Sequence, residues 1–359
     1  MLEISVEEAV GRNDLVYIDV RTPREYEESS VVGAVNIPLL DEEEYSRIGI
    51  TYKLRGEAEA RLIGLELLSP RLPSLVNRII ECSGERIPLL YCQRGGLRSL
   101  TLARVLELTG IKSLRLKGGF KAYRQHVREQ LESFQLSSKV FVLHGLTGTG
   151  KTAILNKLAE NGAATLDLEG LARHRGSVFG NIGLQKPRSQ KDFETMLLQE
   201  LSNHKDSPFL ILEGEGRRIG NIHLPKFLAD TMDGGTHLLL TASLEQRVNQ
   251  IVEEYIPEEI TPAMEAELEK ALLSLRQRLG KAKTGSILSN LKAKEYKAVA
   301  ASLCTEYYDR FYDDSRPGGN VFAATIAVST IEKTAAEILN VIDTSVKMPR
   351  EEMKGATKE

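Results

Sequence analysis

The stretch Val140–Thr152, "VFVLHGLTGTGKT", decides the fold of the longer part of this 359-residue chain. An apolar run leads directly into a loop with three glycines, and "AILNKLAENG" (Ala153–Gly162) follows with helical spacing of its apolar residues. A strand that leads into a glycine-rich loop and then a helix is a building unit of parallel α/β sheets. The stretch therefore predicts such a sheet, with an anion-binding loop at the carboxyl end of one strand.

The loop has the spacing G-x-x-x-x-G-K-T, which is typical of phosphate-binding loops. Gly145, Gly148 and Gly150 allow backbone N–H groups to surround a polyphosphate. Lys151 is placed to reach the outer phosphates, and the Thr152 hydroxyl suits Mg²⁺. A nucleotide is the usual ligand, but backbone donors and a lysine recognise a diphosphate whatever its ester group. The sequence thus predicts a phosphate site and leaves its ligand open.

A second predicted strand, "PFLILE", ends at Glu213. An acidic residue at the end of a neighbouring strand can face the metal side of a phosphate loop, although aspartate is commoner there. Two interpretations of Glu213 stay open, a metal-side acid and an ordinary glutamate at the end of a strand.

Basic residues cluster after a short predicted strand, in "DLEGLARHRGSVFG" (Asp167–Gly180). Basic side chains beside glycines suit contacts to a phosphate backbone, whereas a solvated helix start would have the same composition. The histidine could serve as a general base, contact a phosphate or pack. The candidate nucleic-acid contacts are Arg173, His174, Arg175, Arg217 and Arg218, with Lys186, Arg188 and the stretch Arg276–Lys297 as further basic positions.

A cysteine loop is the second chemical motif, in "LLYCQRGGLRSL" (Leu89–Leu100). A free cysteine has a pKa of about 8.5 and needs a positive or N–H-rich environment to become a reactive thiolate. The two glycines allow the φ values of an anion-binding loop, and the following helix directs its N-terminus to the same point. The alternative is a small buried residue that ends a strand, as we expect for Cys82 and Cys304. The predicted anion loop comprises Cys92 as the catalytic thiol with Arg94, Gly95, Gly96, Arg98 and Ser99.

Composition and length exclude several classes of protein. A formal charge of −3 gives no general attraction to nucleic acid, so any such binding must come from local basic patches. Three scattered cysteines exclude a disulfide framework and a cysteine-rich zinc site. The acidic start "MLEISVEEAV" has no signal-peptide pattern, and no apolar run approaches membrane-spanning length, so we expect a cytoplasmic protein without membrane association.

The first part of the chain resembles a rhodanese domain. "YIDVRTPREYEESSVVGAVNIPL" (Tyr17–Leu39) and "LRLKGGFKAYR" (Leu114–Arg124) carry the signatures of that family, and Cys92 falls at its sulfur-carrying cysteine. The C-x5-R spacing is one residue longer than in small rhodaneses and resembles the loop of related phosphatases, although Tyr91 stands where those have histidine. The longer loop favours a tetrahedral oxyanion such as selenophosphate.

The two halves together resemble the tRNA 2-selenouridine synthase family, through "GITYKLRGEAEARLIG", "DLEGLARHRGSVFG", "LEGEGRRIGNIHLP" and "TEYYDRFY". The resemblance implies that a wobble 2-thiouridine of tRNA is S-geranylated with geranyl diphosphate, after which selenium from selenophosphate replaces the geranylthio group. It implies no tightly bound cofactor, and an enzyme that supplies selenophosphate as a partner. The phosphate loop would hold geranyl diphosphate or, alternatively, a nucleotide with Mg²⁺. The chain has no tryptophan, so the geranyl pocket must use other residues, for which Phe120, Tyr123 and Tyr52 are candidates.

The sequence predicts an α/β protein with an N-terminal rhodanese-like domain and a C-terminal P-loop NTPase-like domain that continues into a mostly helical extension. We expect domains at residues 1–132 and 139–345, a linker at 133–138 and a charged tail at 346–359. Two rival functions stay open. One is a phosphatase-like loop fused to a P-loop kinase of a small molecule. The other is a nucleotide-gated scaffold that carries sulfur or binds a partner.

Overall fold

A computed structural model describes residues 2–214, 216–257, 259–312 and 322–347. It divides the chain into two compact units, one made of Met1–Phe134 with Arg188–Leu198 and the other of Gln135–Pro187 with Gln199–Glu359. The predicted charged tail lies outside the described residues from residue 348 onward. In the described part of the chain, no helix has the length and apolar character needed to span a bilayer.

The first unit is built on a five-stranded parallel sheet with the strand order β1-β5-β4-β2-β3. The catalytic candidate Cys92 directly follows the central strand, β4. The elements are β1 (Leu2–Ile4), α1 (Val6–Ala9), β2 (Leu15–Asp19), α2 (Pro23–Glu28), β3 (Val35–Asn36), α3 (Glu42–Arg55), α4 (Glu57–Leu68), α5 (Leu72–Ser83), β4 (Ile87–Tyr91), α6 (Leu97–Leu108), β5 (Leu114–Leu116) and α7 (Gly119–Glu132).

Local signals in the sequence explain where several of these elements begin and end. Thr22 caps α2 in a capping box with Glu25, and Pro23 occupies the first helical turn. Asp41 caps α3 in the same way with Glu44. The strand β4 is apolar along its whole length, and β2 is apolar up to the buried Asp19 at its end, because helices cover both faces of the sheet.

The second unit has its own five-stranded parallel sheet, with the order β12-β11-β6-β8-β7 and the phosphate loop after the central β6. A short antiparallel pair, β9–β10, lies outside it. The elements are β6 (Lys139–His144), α8 (Lys151–Glu160), β7 (Thr165–Leu166), α9 (Leu168–Ala172), α10 (Gln190–Asn203, its first part in the first unit), β8 (Phe209–Glu213), β9 (Arg218–Ile219), β10 (Ile222–His223), α11 (Lys226–Asp233), β11 (Thr236–Thr241), α12 (Leu244–Tyr255), α13 (Pro262–Ser274), α14 (Arg276–Leu279), α15 (Lys281–Lys292), α16 (Tyr296–Leu303), α17 (Asp309–Tyr312), β12 (Ala324–Ala327) and α18 (Ile331–Lys347).

The helical extension is divided into short helices. The basic stretch Lys270–Lys283 is shared among α13, α14 and α15, and Gly280 with φ +83° allows the break before α15. A π-helical turn, Cys304–Tyr308, follows α16. Cys304 is fully buried and Cys82 half-buried, in agreement with their interpretation as packing residues.

The two parallel α/β sheets and the mostly helical last part of the chain agree with the fold that the sequence predicts. In each sheet the loop of interest follows the central strand at its carboxyl end, which is where open α/β sheets bind ligands.

Candidate active sites

The Cys92 loop surrounds its sulfur with hydrogen-bond donors. The Gly96 N–H donates to Cys92 Sγ at 3.2 Å, and Ser99 Oγ lies 3.4 Å from the same sulfur. Gly95 adopts φ +67°, the left-handed conformation that turns the chain back, whereas Gly96 is extended. Cys92 is almost completely buried. The loop can therefore stabilise negative charge on the sulfur or on an anion held beside it.

The segment that contains the closing glycines of the rhodanese signature packs against this loop and binds its backbone. The Phe120 N–H donates to the Cys92 carbonyl at 2.9 Å, and the Lys121 N–H donates to the Gln93 carbonyl at 3.0 Å. A Cβ on Gly119 would lie 2.1 Å from the Cys92 carbonyl oxygen, so only glycine allows this approach. The backbone of the loop is thus fixed by a segment far away in the sequence.

Arg98 of the predicted anion loop is bound to a carboxylate. Its guanidinium donates to both oxygens of Glu25, at 2.5 and 3.1 Å, and lies 4.6 Å from the centre of the Tyr45 ring. Burial alone would raise the pKa of Glu25, but hydrogen bonding and the charge of Arg98 outweigh it and lower the pKa. Arg94 is exposed and has no side-chain hydrogen bond or ion pair within the described ranges. Positive charge at this site is therefore smaller than two free arginines would give.

The residues suggested for a geranyl pocket in this unit occupy other environments. Phe120 and Tyr123 belong to the core, where the Arg21 guanidinium lies 3.9 Å from the centre of the Phe120 ring. Arg21 in turn is held by buried Asp19. Tyr52 is more than half exposed, on α3.

The phosphate loop of the second unit is packed tightly between strand and helix. A Cβ on Gly145 would lie 2.8 Å from the Leu240 carbonyl oxygen. Gly148 has φ +84°, and a Cβ there would lie 2.6 Å from the Arg247 carbonyl oxygen. Gly150, with φ +76°, immediately precedes α8. Lys151 Nζ donates to the Gly145 carbonyl at 3.0 Å, across the loop.

A buried arginine that the sequence motif does not contain holds the crest of this loop. Arg247 Nε donates to the Thr147 carbonyl at 2.8 Å. The two terminal nitrogens of Arg247 bind Asp309 at 2.6 and 3.0 Å. Sequence reasoning assigned no role to either residue. Arg247 lies about a hundred residues downstream of the loop and belongs to no short motif, and Asp309 stands in the segment "TEYYDRFY", which carries only the family resemblance. The local signal for Arg247 is an arginine in the first turn of an amphipathic helix.

A polar cavity of about 220 Å³ opens over the phosphate loop. Lys151, Thr152 and the buried Glu213 line it, which brings together the predicted phosphate ligands and the predicted acid. Glu169 and Glu254 complete its acidic side. Burial raises the pKa of Glu254, while Arg175 and Lys151 oppose that shift. The cavity thus combines donors for a polyphosphate with oxygen ligands suited to a divalent cation.

A second, apolar cavity adjoins the polar one. Its volume is about 60 Å³. Thr147, Ile251, Tyr255 and Tyr308 line both cavities, so the two meet along α12 and the π-helical turn. Further apolar walls come from Phe179, Leu268, Val299, Ala300 and Leu303. These are phenylalanine, tyrosine and aliphatic side chains, as a chain without tryptophan requires.

The structure places the five candidate tRNA contacts in different environments. Arg175 is bound to Glu254 at 2.9 Å, donates to the Ile182 carbonyl and lies over the Tyr255 ring, so it fixes the rim of the polar cavity. Arg217 pairs with Asp233 at the surface. Arg173 is the residue that ends α9, and His174 follows it directly, where its Nδ1 accepts from the Gly176 N–H. Arg218 lies on β9, next to α9, and donates to the Gly220 carbonyl.

Several additional basic positions are paired with acids. Arg188 lies 3.5 Å from Asp192, and Arg278 donates to the Tyr307 hydroxyl at 2.9 Å. Lys283 binds Glu306, and Lys292 and Lys294 lie near Glu269 and Glu265. Local pairing reduces the net positive charge of the stretch Arg276–Lys297 as a surface for RNA.

Comparisons with known proteins agree with this architecture. The family described as "tRNA 2-selenouridine synthase AAA domain" matches residues 138–320, and "Rhodanese-like domain" matches residues 5–126. A tRNA 2-selenouridine synthase of Sulfurovum sp. is 33% identical over 330 residues, which cover 84% of this chain and 88% of that protein. The same enzyme of Hydrogenovibrio crunogenus is 34% identical, with 85% of this chain and 90% of that protein covered.

Proposed function

The chain belongs to the tRNA 2-selenouridine synthase family, and we propose that it converts wobble 2-thiouridine of tRNA to 2-selenouridine through an S-geranyl intermediate. First, the sulfur attacks C1 of geranyl diphosphate, and diphosphate leaves with the bonding electron pair. Next, selenium from selenophosphate replaces the geranylthio group at C2, geranylthiol leaves and the phosphate passes to water. Alkylation makes the sulfur a good leaving group, so the order of steps follows from the chemistry.

One observation carries the first step: an apolar cavity shares its wall with the phosphate loop. Geranyl diphosphate has a multiply charged anionic head and a ten-carbon apolar tail, and it needs adjacent polar and apolar sites. Thr147 and Tyr255 line both cavities, so a tail attached to a diphosphate on the loop reaches the apolar walls directly. Each buried CH₂ of such a tail contributes about 0.8 kcal/mol to binding.

The size of the apolar cavity restricts how the tail is bound. Its volume of about 60 Å³ is smaller than the roughly 150 Å³ cavity that holds benzene in another protein. The cavity would therefore cover only part of the tail, while the carbon next to the diphosphate would lie near Tyr255 and Tyr308, which line both cavities.

The diphosphate leaving group would be stabilised by the loop itself. The backbone N–H groups of the loop and Lys151 would bind its oxygens as negative charge develops. Thr152 and Glu213 both face the cavity and fit the hard oxygen ligands that Mg²⁺ prefers, and a bound Mg²⁺ would neutralise part of that charge.

Cys92 would serve the selenium step. The Gly96 N–H and the Ser99 hydroxyl contact its sulfur and would stabilise a thiolate or an adjacent oxyanion of selenophosphate. Because Glu25 binds Arg98, backbone donors supply most of this stabilisation, with Arg94 as an exposed cation. The selenophosphate would come from a separate enzyme that produces it.

Mass spectrometry of the wobble nucleoside tests the proposed function. The protein is incubated with tRNA containing 2-thiouridine, geranyl diphosphate and selenophosphate, and each donor is omitted in turn. We expect 2-selenouridine with both donors and S-geranyl-2-thiouridine when selenophosphate is omitted. Absence of both products, or turnover of ATP without tRNA, would contradict the proposal, and the second result would favour the P-loop kinase.

A pair of variants on α16 tests the position of the geranyl tail. Ala300 lines the apolar cavity, whereas its neighbour Ala301 does not. We expect Ala300→Phe to raise the KM for geranyl diphosphate roughly 10- to 100-fold and to leave the affinity for inorganic diphosphate unchanged, because the added ring occupies only the site of the tail. Ala301→Phe is the matched control. Equal effects of both variants would argue against this position.

A further inference from the structure

A third cavity, of about 290 Å³, adjoins the phosphate cavity. Glu169 and Glu254 line both cavities, together with Thr152 and Arg175. Apart from Gly170, the residues that line the third cavity but not the phosphate cavity are an acid, a cation, an amide and one apolar side chain: Asp167, Arg173, Gln185 and Leu184. The proposed function assigns no ligand to this site.

The carboxylate of Asp167 lines this cavity and is fixed in place by a backbone hydrogen bond. Its Oδ1 accepts the Gly170 N–H at 2.7 Å, which fixes the side chain at the start of α9. The other oxygen, Oδ2, lies against Gly170, where a Cβ would approach it to 2.2 Å. Glycine at 170 therefore makes room for this oxygen. Burial raises the pKa of Asp167, so its carboxylate is more basic than usual.

Arg173 provides a cation on the same cavity. It ends α9 with φ +52°, a left-handed conformation that costs about 1 kcal/mol in a residue other than glycine. In the part of the chain that the structure describes, its guanidinium makes no hydrogen bond or ion pair. Strained backbone and an unengaged cation at a cavity wall are typical of a ligand contact.

Shared lining residues indicate where the reacting bond would lie. Glu254 lines the third cavity and the phosphate cavity, and the next residue, Tyr255, lines the phosphate cavity and the apolar cavity. A geranyl diphosphate bound as proposed has its C1 near the last turn of α12. An acceptor bound in the third cavity would meet the same turn at Glu254, close to that carbon.

We propose that the third cavity receives the pyrimidine ring of the substrate uridine, turned out of the anticodon loop. Asp167 accepts the N3–H of the ring and Arg173 donates to O4, while Leu184 and the rim of the cavity contact its face. RNA-modifying enzymes read a base turned out of its stack by hydrogen bonds to this edge. This assignment rests on the proposed function, because it takes 2-thiouridine as the acceptor.

The assignment also gives a destination for the proton that S-alkylation releases. As the S–C1 bond forms, the C1–O bond breaks and diphosphate leaves with its electron pair. The ring loses N3–H, because the product has a C2–N3 double bond. The proton passes to the Asp167 carboxylate, which the Gly170 N–H holds at the start of α9. A carboxylate with a raised pKa is well suited to accept it.

Binding of anticodon stem-loops tests the proposal without either donor. Fluorescence anisotropy compares stem-loops with 2-thiouridine and with N3-methyl-2-thiouridine, on the wild-type protein and on Asp167→Asn. Asparagine can keep the helix cap through its Oδ1 but replaces the acceptor at Oδ2 with an N–H donor. We expect N3-methylation to weaken wild-type binding about 10-fold or more. The same methylation should change binding to the variant less than twofold.

A second variant and a control complete the test. Arg173→Asn suits the left-handed backbone and removes the guanidinium, and we expect it to weaken stem-loop binding about 5- to 50-fold without loss of thermal stability. Asp206→Asn, an exposed charge change in the same unit, should have no effect. Equal methylation effects in wild type and Asp167→Asn would overturn the assignment. If the wild-type protein then still transfers geranyl to 2-thiouridine, the proposed function is retained and only the assignment of the third cavity is wrong.

Discussion

The cysteine loop and the phosphate loop are the same structural solution used twice. Each follows the central strand of a parallel sheet, turns through glycine and leads into a helix. Each is also held by an arginine bound to a carboxylate through two hydrogen bonds. The difference lies at the centre of each loop. In one, the N–H donors face a reactive sulfur of the chain itself, and in the other they surround space for a ligand.

The two arginines have different effects at the loops that they contact. Arg98 belongs to the cysteine motif, and its pairing with Glu25 removes a charge that the motif alone would assign to an anion. Arg247 lies outside the phosphate motif, and it fixes the loop crest against α12, whose other residues line the apolar cavity. The pairing of Arg98 with Glu25 reduces the positive charge available to an anion in the cysteine loop. Arg247, in contrast, joins the phosphate loop to the helix that lines the apolar cavity.

Replacing the reactive sulfur should separate the two loops most clearly. We expect Cys92→Ser to lower the rate of 2-selenouridine formation at least about 1,000-fold, because a serine hydroxyl does not ionise at neutral pH and cannot replace the thiolate beside selenophosphate. Formation of S-geranyl-2-thiouridine should stay within twofold of wild type. Nucleoside mass spectrometry after each half-reaction measures both, with Cys82→Ser as the control. Normal selenation by Cys92→Ser would remove the chemical distinction between the loops.

The converse experiment acts on the phosphate loop. We expect Lys151→Ala to lower the geranyl transfer rate roughly 100- to 1,000-fold, because it removes a cation from the leaving diphosphate. Selenation of a stem-loop that already carries S-geranyl-2-thiouridine should be unchanged. Lys157→Ala, which removes a lysine of the same helix that pairs with Glu160 and does not line the cavity, is the control. If both half-reactions fall together in Lys151→Ala, the division of labour between the loops is wrong.

Sequence reasoning located both loops because each is a contiguous motif whose residues contact one another. It identified the strand before Gly145, the cysteine after β4 and the acid Glu213, all of which depend on local chemistry. It did not identify Glu25 as the partner of Arg98, nor the apolar cavity. Those features come from packing between segments far apart in the chain, and the helices that form the cavity have ordinary amphipathic patterns.

Glycine replacements test how strictly the phosphate loop depends on α12. Gly148 and Gly162 have nearly the same φ, +84° and +86°, but only Gly148 has neighbours where a Cβ would be. We expect Gly162→Ala to cost about 1 kcal/mol from backbone strain and Gly148→Ala about 2–4 kcal/mol, because a clash with Arg247 and Ile251 is added. Denaturant unfolding of the two variants measures the difference. Equal losses would mean that the contact with α12 does not restrict the loop.

The residues that directly precede the two loops predict a further, smaller difference between the two units, in how strongly acid lowers their stability. Tyr91 precedes Cys92, and burial keeps its pKa far above the acid range. His144 precedes Gly145, and its Nε2 lies 2.7 Å from His237 Nδ1 in a pair where one ring donates and the other accepts. Burial first, and then the neighbouring His237 and Lys151, lower the pKa of His144 to about 4. Only the phosphate loop is therefore preceded by a group that titrates between pH 4 and 7.

The sign of this effect follows from which state binds the proton. Below a pH of about 6.5 the unfolded chain protonates His144, whereas the folded protein does not until about pH 4. The stabilising contribution is therefore complete above pH 6.5 and is lost as the pH falls toward 4. We expect wild type to lose about 1–2 kcal/mol more than His144→Asn between pH 7.5 and pH 5, measured by urea unfolding. The exposed His223→Asn should follow wild type. Parallel losses in wild type and His144→Asn would show that this histidine pair does not set the acid limit of the phosphate-loop unit.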